Sequence, residues 1–271
     1  MRVLLTNDDG LAAPGLQALR RALLEVEGIE LDVIAPDSNR SATARSITTR
    51  SPIWVEEVRF DDGTAGYATG GTPVDCVRFA DLGLLGSRPE LIVSGINHGA
   101  NLGDDVTYSG TVAAAFEGLV LGLPALAFSQ QSQKGEMGFR YGREFDFSHS
   151  APLAAALVAR VVERGMPAGT LINVNAPAGE PTGIEVTRLG KRLYEDELKL
   201  VEESESGGRR RYEIYGFEPS FEDEPGTDLA AVARGRVAVT PIHFDLTDHG
   251  ELETISGWDL EGMLAGTRPA R

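Results

Sequence analysis

Short apolar segments alternate with longer amphipathic segments along most of the chain. Residues 3–6 and 31–35 are apolar runs typical of strands that are buried on both faces of a sheet. Between them, residues 15–27 carry leucines at helical spacing, with Pro14 suited to a helix start and Gly28 to a helix stop. The pattern predicts a β-α-β unit, in which two parallel strands are joined by a right-handed crossover.

The alternation continues beyond this unit. Further strands are predicted at residues 91–94, 125–129, 170–175 and 237–242, and further helices at about 111–121, 152–164 and 228–233. Regular alternation of this kind implies a mostly parallel sheet that is covered by helices on both sides. We therefore expect an α/β protein with a Rossmann-like three-layer α/β/α core.

The composition changes near Gly190, where the chain becomes strongly charged. Alternating side chains over residues 211–215, preceded by Gly207-Gly208, predict a protruding β-hairpin arm. We expect residues 1–190 to form the α/β core. We expect residues 191–271 to form the arm and a C-terminal oligomerisation segment, which packs on the core or is exchanged with a partner subunit. The whole chain is then a single domain.

The charge balance narrows the range of partners. The chain has 25 Lys and Arg against 41 Asp and Glu, which gives a formal net charge of −16. This excess of acid argues against binding long nucleic acids or anionic membranes, because both are held by clustered basic residues. A mononucleotide remains possible, because a metal ion or a few backbone amides can neutralise one phosphate.

The single cysteine, Cys76, excludes an intramolecular disulfide and any multi-cysteine metal site. The first residues lack the apolar core of a signal peptide, and no apolar run approaches the roughly 20 residues needed to span a bilayer. We therefore expect a cytoplasmic protein. Apolar neighbours around Cys76 indicate that the thiol is buried and inert.

Polar loops follow three of the predicted strands, at residues 7–10, 36–41 and 95–101. In open α/β sheets, ligands bind at the carboxyl ends of the strands. Two adjacent carboxylates, Asp8 and Asp9, repel each other unless a cation relieves the repulsion, and Mg²⁺, Mn²⁺ and Ca²⁺ prefer oxygen ligands. The sequence therefore predicts a divalent-cation site, and the alternative is a helix cap with a solvated turn.

Residues 101–111 lead into the predicted alanine-rich helix at 111–121. Ser109 or Thr111 can cap this helix, and the free N–H groups of its first turn form an anion site. Gly110 would allow the backbone to approach a phosphate closely. A plain helix cap is the alternative. His98 lies in the neighbouring loop, where it either donates to phosphate or packs within the loop.

Motifs of several other nucleotide-binding and hydrolytic classes are missing. No Gly-Lys-Ser/Thr follows the glycine-rich loop, and no Gly-x-Gly-x-x-Gly follows the first predicted strand. No Gly-x-Ser-x-Gly elbow is present either, which removes support for a serine hydrolase. These observations weaken the P-loop, dinucleotide-binding and α/β-hydrolase interpretations.

Together, the motifs resemble those of the stationary-phase survival protein SurE family of metal-dependent nucleoside 5′-monophosphate phosphatases. The matching segments are Thr6-Asn7-Asp8-Asp9-Gly10, Ala35-Pro36-Asp37, Arg40-Ser41-Ala42, Gly71-Thr72-Pro73-Val74-Asp75-Cys76, Ser94-Gly95-Ile96-Asn97, Gly99-Ala100-Asn101-Leu102-Gly103, Ser109-Gly110-Thr111-Val112, Asn173-Val174-Asn175 with Pro177, and Thr240-Pro241 with Asp245-Leu246-Thr247. Each motif is weak alone, but the ordered set is specific and spans nearly the whole chain.

The resemblance implies a set of site residues. One divalent ion per subunit, Mg²⁺ or Mn²⁺, would be held by Asp8, Asp9, Ser41 and Asn97. Phosphate would be held by Asn101, Ser109, Gly110 and Thr111.

The resemblance also implies an activity and an assembly. Water would attack a nucleoside 5′-monophosphate directly, with Asp8 and Asp9 as the catalytic residues, one of which shuttles a proton. A side activity on 3′-nucleotides or short polyphosphate is possible within such a site. The subunits would form a homodimer or homotetramer through the exchanged C-terminal arm.

Two other functions share some of these features. A non-catalytic nucleotide sensor would need the same binding residues and would differ only in lacking turnover. A metal-dependent deacetylase is a weaker alternative, because that chemistry usually uses zinc with histidine ligands, and the candidate loops contain no suitable pair.

Overall fold

The computed structural model describes residues 1–137, 144–194, 197–203, 208–214 and 220–266. The strands are β1 (Arg2–Thr6), β2 (Glu30–Pro36), β3 (Val55–Arg59), β4 (Ala65–Thr69), β5 (Leu91–His98), β6 (Ala125–Gln130), β7 (Leu171–Ala176), β8 (Ile184–Val186), β9 (Arg192–Leu193), β10 (Lys199–Glu203), β11 (Arg210–Glu213), β12 (Ser220–Phe221) and β13 (Val237–Ile242). The α-helices are α1 (Pro14–Leu24), α2 (Pro73–Asp81), α3 (Gly110–Val120), α4 (Ser150–Arg164), α5 (Asp228–Ala233), α6 (Leu252–Ser256) and α7 (Leu260–Gly266), with a 3₁₀ helix at Gly103–Thr107.

Nine strands form one sheet in the order β3-β4-β2-β1-β5-β6-β7-β13-β8. The run from β4 to β7 is parallel throughout, and β3 and β13 pair antiparallel with β4 and β7. The predicted α/β class with a mostly parallel sheet is therefore confirmed. The strand order reverses direction about β1 and β5, which places the loops after these two strands side by side.

Helices cover both faces of the sheet. Successive residues of β1 point to opposite faces, so their neighbours show which helices lie on each side. Val3 and Leu5 are buried in the same apolar cluster as α1 and α4. Leu4, between them, belongs to a second cluster with α2 and α3, which includes Cys76. Burying one such leucine stabilises the fold by about 1.5–3 kcal/mol, so both helical layers are firmly attached. Cys76 is fully buried, as expected, and burial raises the pKa of its thiol.

Several elements were not predicted from the sequence, among them strands β3 and β4 of the central sheet. Strand β5 continues to His98, where the glycine-rich pattern had indicated a loop from Gly95, because Asn97 and His98 pair with the end of β6. Helix α2 was missed altogether. It begins with a capping box, in which Thr72 accepts from the Asp75 backbone and the Asp75 carboxylate accepts from the Thr72 backbone. This Thr-Pro-x-Asp arrangement is the signal that would have revealed the helix.

The predicted hairpin arm is present as the antiparallel pair β10 and β11. Gly207, at its predicted turn, lies outside the described residues. After the arm, α5 leads into β13, which returns to the central sheet between β7 and β8. The later helices α6 and α7 were not predicted from the sequence. Within the described residues, no helix combines the length and the apolar character needed to cross a bilayer.

Candidate active site

Asp8 and Asp9 lie directly after the central strand β1. Asp8 is only 2% exposed and the side chain of Asp9 only 3%. A tight turn follows them, in which the Asn7 amide donates to the Gly10 carbonyl and accepts from the Gly10 N–H. Gly10 has a φ of 108°, a conformation that favours glycine. The turn directs both carboxylates to the carboxyl edge of the sheet.

The N-terminus of α3 is pressed against Asp8. The Thr111 hydroxyl donates to Asp8 Oδ1 at 2.5 Å. A Cβ atom at Gly110 would lie 2.7 Å from Asp8 Oδ2, so only glycine permits this approach. The positive end of the helix therefore faces a buried carboxylate.

Asp9 connects the loops that follow β2 and β5. Its Oδ2 atom accepts the backbone N–H of His98 at 2.9 Å, and its Oδ1 atom accepts from the Asn39 side-chain amide at 3.1 Å. The Arg40 backbone N–H also donates to the Asp8 carbonyl at 2.7 Å. The three polar loops predicted from the sequence therefore meet at one edge of the sheet.

Within the part of the chain that the structure describes, no cationic side chain neutralises this pair of carboxylates. Among the described residues, no lysine or arginine forms an ion pair with Asp8 or Asp9. The His98 Nδ1 atom is 3.9 Å from Asp9 Oδ2, but His98 Nε2 accepts the Gly15 N–H and burial lowers the pKa of the ring, so the imidazole is neutral. Burial raises the pKa of both carboxyl groups to about 6, and the Asp9 charge adds to this effect on Asp8.

His98 otherwise packs within its loop. Its ring stacks on Phe145 and Phe147, with centroid separations of 4.8 and 5.4 Å. Of the two interpretations of His98, the structure favours the packing one, because the ring stacks on both phenylalanines and Nε2 accepts the Gly15 N–H.

Ser41 and Asn97 belong to the two segments that contact Asp9, because Asn39 and His98 donate to its carboxylate and Asn39 accepts the Ser41 N–H. The Ser41 hydroxyl oxygen is buried and has no hydrogen-bond partner among the described residues. The Asn97 amide nitrogen donates to the Gly99 carbonyl at 2.8 Å, which leaves its oxygen as the end of the amide available to a cation. Two carboxylates, a hydroxyl and an amide oxygen form a donor set that suits a hard divalent ion. No group of three or more His, Cys, Asp and Glu able to hold a metal occurs in the described part of the chain.

The segment that carries Ser41 is anchored from the opposite side by residues that sequence analysis missed. Arg45 pairs with Glu117 of α3 at 2.9 Å, and Arg78 of α2 pairs with the same carboxylate. The Thr48 hydroxyl donates to Asp75 Oδ2 at 2.7 Å. Glu117 is an isolated acid in an otherwise apolar helix, and this was the signal that could have identified it.

The candidate phosphate-binding residues divide into two groups. Ser109 caps α3 by accepting the Val112 N–H at 3.1 Å, and the Thr111 hydroxyl is bound to Asp8. The Thr111 backbone N–H also hydrogen-bonds to Asp8, whereas the Gly110 N–H at the helix N-terminus has no partner within the helix. The second group is Asn101 with its partners on β6 and β7.

Asn101 is held at the ends of β6 and β7 through its side chain and its backbone. Its side-chain nitrogen donates to the Ser129 hydroxyl at 2.8 Å. Its backbone carbonyl accepts from the side-chain amides of Asn173 and Asn175, and its N–H donates to Asn175 Oδ1. The described hydrogen bonds therefore place Asn101 in a polar cluster whose other members the sequence had not assigned to any role.

Comparison with known proteins identifies similar chains over nearly the full length. The protein-family model described as "Survival protein SurE" matches residues 3–196 of this chain. The protein named 5′-nucleotidase SurE of Rubrobacter xylanophilus is 50% identical over 268 residues, which cover 97% of this chain and 99% of that protein. The protein of the same name from Myxococcus xanthus is 46% identical over 265 residues, with coverage of 97% and 95%.

A solved structure shows the same architecture. The crystal structure of the SurE protein from Aquifex aeolicus matches with a TM-score of 0.77 at 38% sequence identity. The match covers 94% of this chain and 98% of that chain. The similarity therefore includes the segment after residue 190 as well as the core.

Proposed function

This chain belongs to the survival protein SurE family, and we propose that it is a divalent-metal-dependent 5′-nucleotidase that hydrolyses nucleoside 5′-monophosphates to nucleoside and phosphate. The names of its relatives support the activity. The observation that carries the proposal is the pair of buried, unneutralised carboxylates Asp8 and Asp9 beside the N-terminus of α3. Such an arrangement suits a cation and a phosphate that share one site.

In this proposal, Asp8, Asp9, Ser41 and Asn97 hold one Mg²⁺ or Mn²⁺ per subunit. The unpartnered Ser41 hydroxyl and the oriented Asn97 amide support these ligands. A bound divalent ion supplies positive charge for a phosphate oxygen and lowers the pKa of water. The two carboxylates would offset the formal charge of the ion, and the two neutral ligands would add no negative charge to repel the incoming phosphate.

The backbone of α3 and the side chain of Asn101 would hold the phosphate. Gly110 and Thr111 are the proposed phosphate contacts at this helix end, although the Thr111 N–H and hydroxyl also hydrogen-bond to Asp8. Ser109 keeps the helix end formed through its cap. Asn101 donates one of its two amide hydrogens to Ser129 and retains the other for an oxygen of the substrate. Phosphoryl transfer depends mainly on positioning and charge neutralisation, and these residues provide both.

Asp8 and Asp9 would also act as the catalytic residues. Direct attack by water requires no nucleophilic side chain, so one aspartate has only to accept a proton from the attacking water. Thr111 holds Asp8 in place, while His98 N–H and Asn39 hold Asp9. This fixed geometry avoids reorganisation during the reaction.

The test is phosphate release from AMP and GMP at low enzyme concentration, with Mn²⁺ or Mg²⁺ and with EDTA. We expect multiple turnovers with metal and none with EDTA. Asp9→Asn should abolish turnover, because the pair then lacks one charged ligand, whereas Asp61→Asn, an exposed aspartate, should retain it. Full activity of Asp9→Asn or in EDTA would contradict the proposal, and binding without turnover would indicate a nucleotide sensor.

We further propose assembly into a homodimer or homotetramer through residues 191–271. An isolated two-stranded hairpin is marginally stable, and β10–β11 exposes the apolar side chains Leu200, Val201 and Tyr212. Light scattering of the full chain tests the assembly, and a monomer at micromolar concentration would contradict it. A side activity on 3′-nucleotides or short polyphosphate, and the cytoplasmic location, stay predictions.

A further inference from the structure

The side chain of Asn175 brackets the backbone of Asn101. Asn175 Oδ1 accepts the Asn101 N–H at 2.7 Å, and Asn175 Nδ2 donates to the Asn101 carbonyl at 3.0 Å. Asn175 lies on β7, while Asn101 lies just after β5, so the contact spans a sequence separation of 74 residues. Asn175 is fully buried, and its amide therefore has little freedom to turn to other partners.

Only a primary amide at this position can satisfy both contacts. The N–H of Asn101 requires an acceptor and the carbonyl requires a donor, which Asn175 presents side by side. Asn173 contributes less, because its nitrogen donates to the Asn101 carbonyl at 2.9 Å while its oxygen has no partner among the described residues. Asn175 is thus the residue that determines the orientation of both peptide groups flanking the Asn101 Cα.

We propose that Asn175 is a positioning residue that aims the Asn101 side chain at the phosphate of the substrate, an inference that rests on the proposed function. The direction of the Asn101 side chain is set at one end by its backbone and at the other by Ser129. If the backbone rotates, the remaining amide hydrogen moves away from the phosphate. Asn175 acts through Asn101 and does not itself touch the substrate.

If Asn175 had a purely structural role, its loss would lower stability without a specific loss of phosphate affinity. The sheet contains a suitable control for such a structural effect. The hydroxyls of Thr187 and Thr240 form a buried hydrogen bond at 2.7 Å. Thr240 lies opposite Asn173 on the neighbouring strand β13, yet it has no described contact with Asn101. Thr240→Val therefore removes a buried polar contact at a similar depth without affecting the orientation of Asn101.

The experiment compares Asn175→Asp, Asn175→Ala and Thr240→Val with the wild type as full-length protein, which is Mn²⁺-loaded for phosphate binding and turnover and metal-free for the Mn²⁺ titration. Calorimetry measures the affinity for inorganic phosphate and for Mn²⁺, and steady-state kinetics measure KM and kcat for AMP. We expect both Asn175 variants to bind phosphate about tenfold more weakly and to raise KM by a similar factor, with kcat changed less, because the lost contact is made in ground state and transition state alike. Mn²⁺ affinity should stay within about twofold, because Asn175 has no described contact with the proposed metal ligands.

A double-mutant cycle tests whether Asn175 acts through Asn101. In an Asn101→Ala background, Asn175→Ala should add less than about twofold to KM, since the side chain that it positions is already gone. Thr240→Val should lower the melting temperature and leave phosphate affinity unchanged. A full tenfold additional effect in the double mutant would overturn the assignment.

The outcomes separate this inference from the proposed function. A wild type that neither binds phosphate nor turns over AMP refutes the proposed function itself. An active wild type with folded Asn175 variants of unchanged KM overturns the positioning role alone. If Asn175→Asp does not fold, Asn175→Ala carries the test, and loss of the fold in both would show a structural residue and overturn the assignment.

Discussion

A buried carboxylate lies near each end of α3, and the two differ in whether a basic side chain neutralises them. Glu117, near the C-terminal end, is 3% exposed at its side chain and pairs with both Arg45 and Arg78. Asp8, at the N-terminal end, is equally buried but has only a hydroxyl and a helix end near it, with Asp9 adding a second charge. Burial of an unpaired charge lowers the stability of the folded state. Glu117 avoids this loss through its two arginines, whereas the burial of Asp8 and Asp9 reduces the stability of the metal-free protein.

A third buried carboxylate follows the pattern of Glu117. Asp105, in the 3₁₀ helix before α3, pairs with the fully buried Arg192 and accepts the Tyr194 hydroxyl. This cluster attaches the root of the arm to the turn before Ser109. Within the described residues, Glu117 and Asp105 pair with arginines, and the buried Asp75 and Asp228 each accept several hydroxyl or backbone N–H donors. The pair at the sheet edge differs from these acids, because it places two adjacent carboxylates together without a cationic partner.

The largest expected effect is that of Asp8→Asn. Phosphate release should fall by at least about 10³-fold, since a charged ligand is lost, while the metal-free protein should become more stable because the repulsion with Asp9 is removed. Activity assays and thermal melts in EDTA measure the two quantities. A melting temperature several degrees below that of the wild type would contradict the conclusion that Asp8, unlike Glu117, is buried without a neutralising partner.

Arg192→Leu should have the opposite effect on stability. It leaves Asp105 buried without its cation, which costs about 3–5 kcal/mol of unfolding free energy. Urea unfolding of the full chain measures the loss. The double variant Arg192→Leu with Asp105→Leu is the control, and it should recover much of the stability because neither charge is then buried alone. A loss below about 1 kcal/mol in the single variant would be inconsistent with this.

Gly110→Ala tests the approach of α3 to Asp8. The added Cβ would lie 2.7 Å from Asp8 Oδ2, so the helix end or the carboxylate must move. We expect kcat/KM to fall by about 10²-fold. Gly118→Ala is the matched control in the same helix, where the Cβ would lie 2.8 Å from Ile92 Cγ1. Gly118→Ala should lower the free energy of unfolding and leave kcat/KM unchanged. Equal losses of kcat/KM in both variants would argue against a special role for the contact between Gly110 and Asp8.

The smallest effect is a pH dependence of the metal-free protein. Burial raises the pKa of Asp8 and Asp9 to about 6, so the folded state binds protons more tightly than the unfolded chain. This contribution to stability is fully present below about pH 4 and is lost as the pH rises through about 6. Bound Mn²⁺ requires the ionised forms, so its affinity should fall below about pH 6.

Melting temperatures in EDTA, measured from about pH 4.5 to 7.5, test this pH dependence, with Mn²⁺ titrations at the same pH values. Asp8→Asn should flatten the stability profile, because a single carboxyl group then remains and its neighbour's charge is gone. Identical profiles for the variant and the wild type would contradict the assignment of the effect to this pair.

The core elements were predictable because their signals are local. Periodicity and helix-stop residues indicated β1, α1 and β2 within three residues of their observed bounds. The end of β5 and the strands β3 and β4 were not, because their formation depends on pairing with distant strands. The polar loops that carry Asp8, Asp9 and Asn97 followed from the strand order, since the carboxyl ends of parallel strands share one edge.

The partners of these residues were hidden from the sequence. Nothing near Asn175 indicates that its amide would bracket the backbone of Asn101. From the sequence, Ser109 and Thr111 were equally suitable as the N-cap of α3. The structure assigns the cap to Ser109 and a hydrogen bond to Asp8 to Thr111, because the register of α3 against β1 decides which hydroxyl meets the carboxylate.

The sequence by itself determined the alternation of strands and helices and, through it, the sheet edge at which the acidic loops meet, because periodicity and right-handed crossovers are properties of short segments. Only the tertiary structure decided which buried carboxylates are neutralised. Glu117 receives Arg45 from 72 residues away, and Asp105 receives Arg192 from 87 residues away. Asp8 and Asp9 receive no such partner among the described residues, and charge neutralisation over such separations depends on three-dimensional packing that no local pattern records.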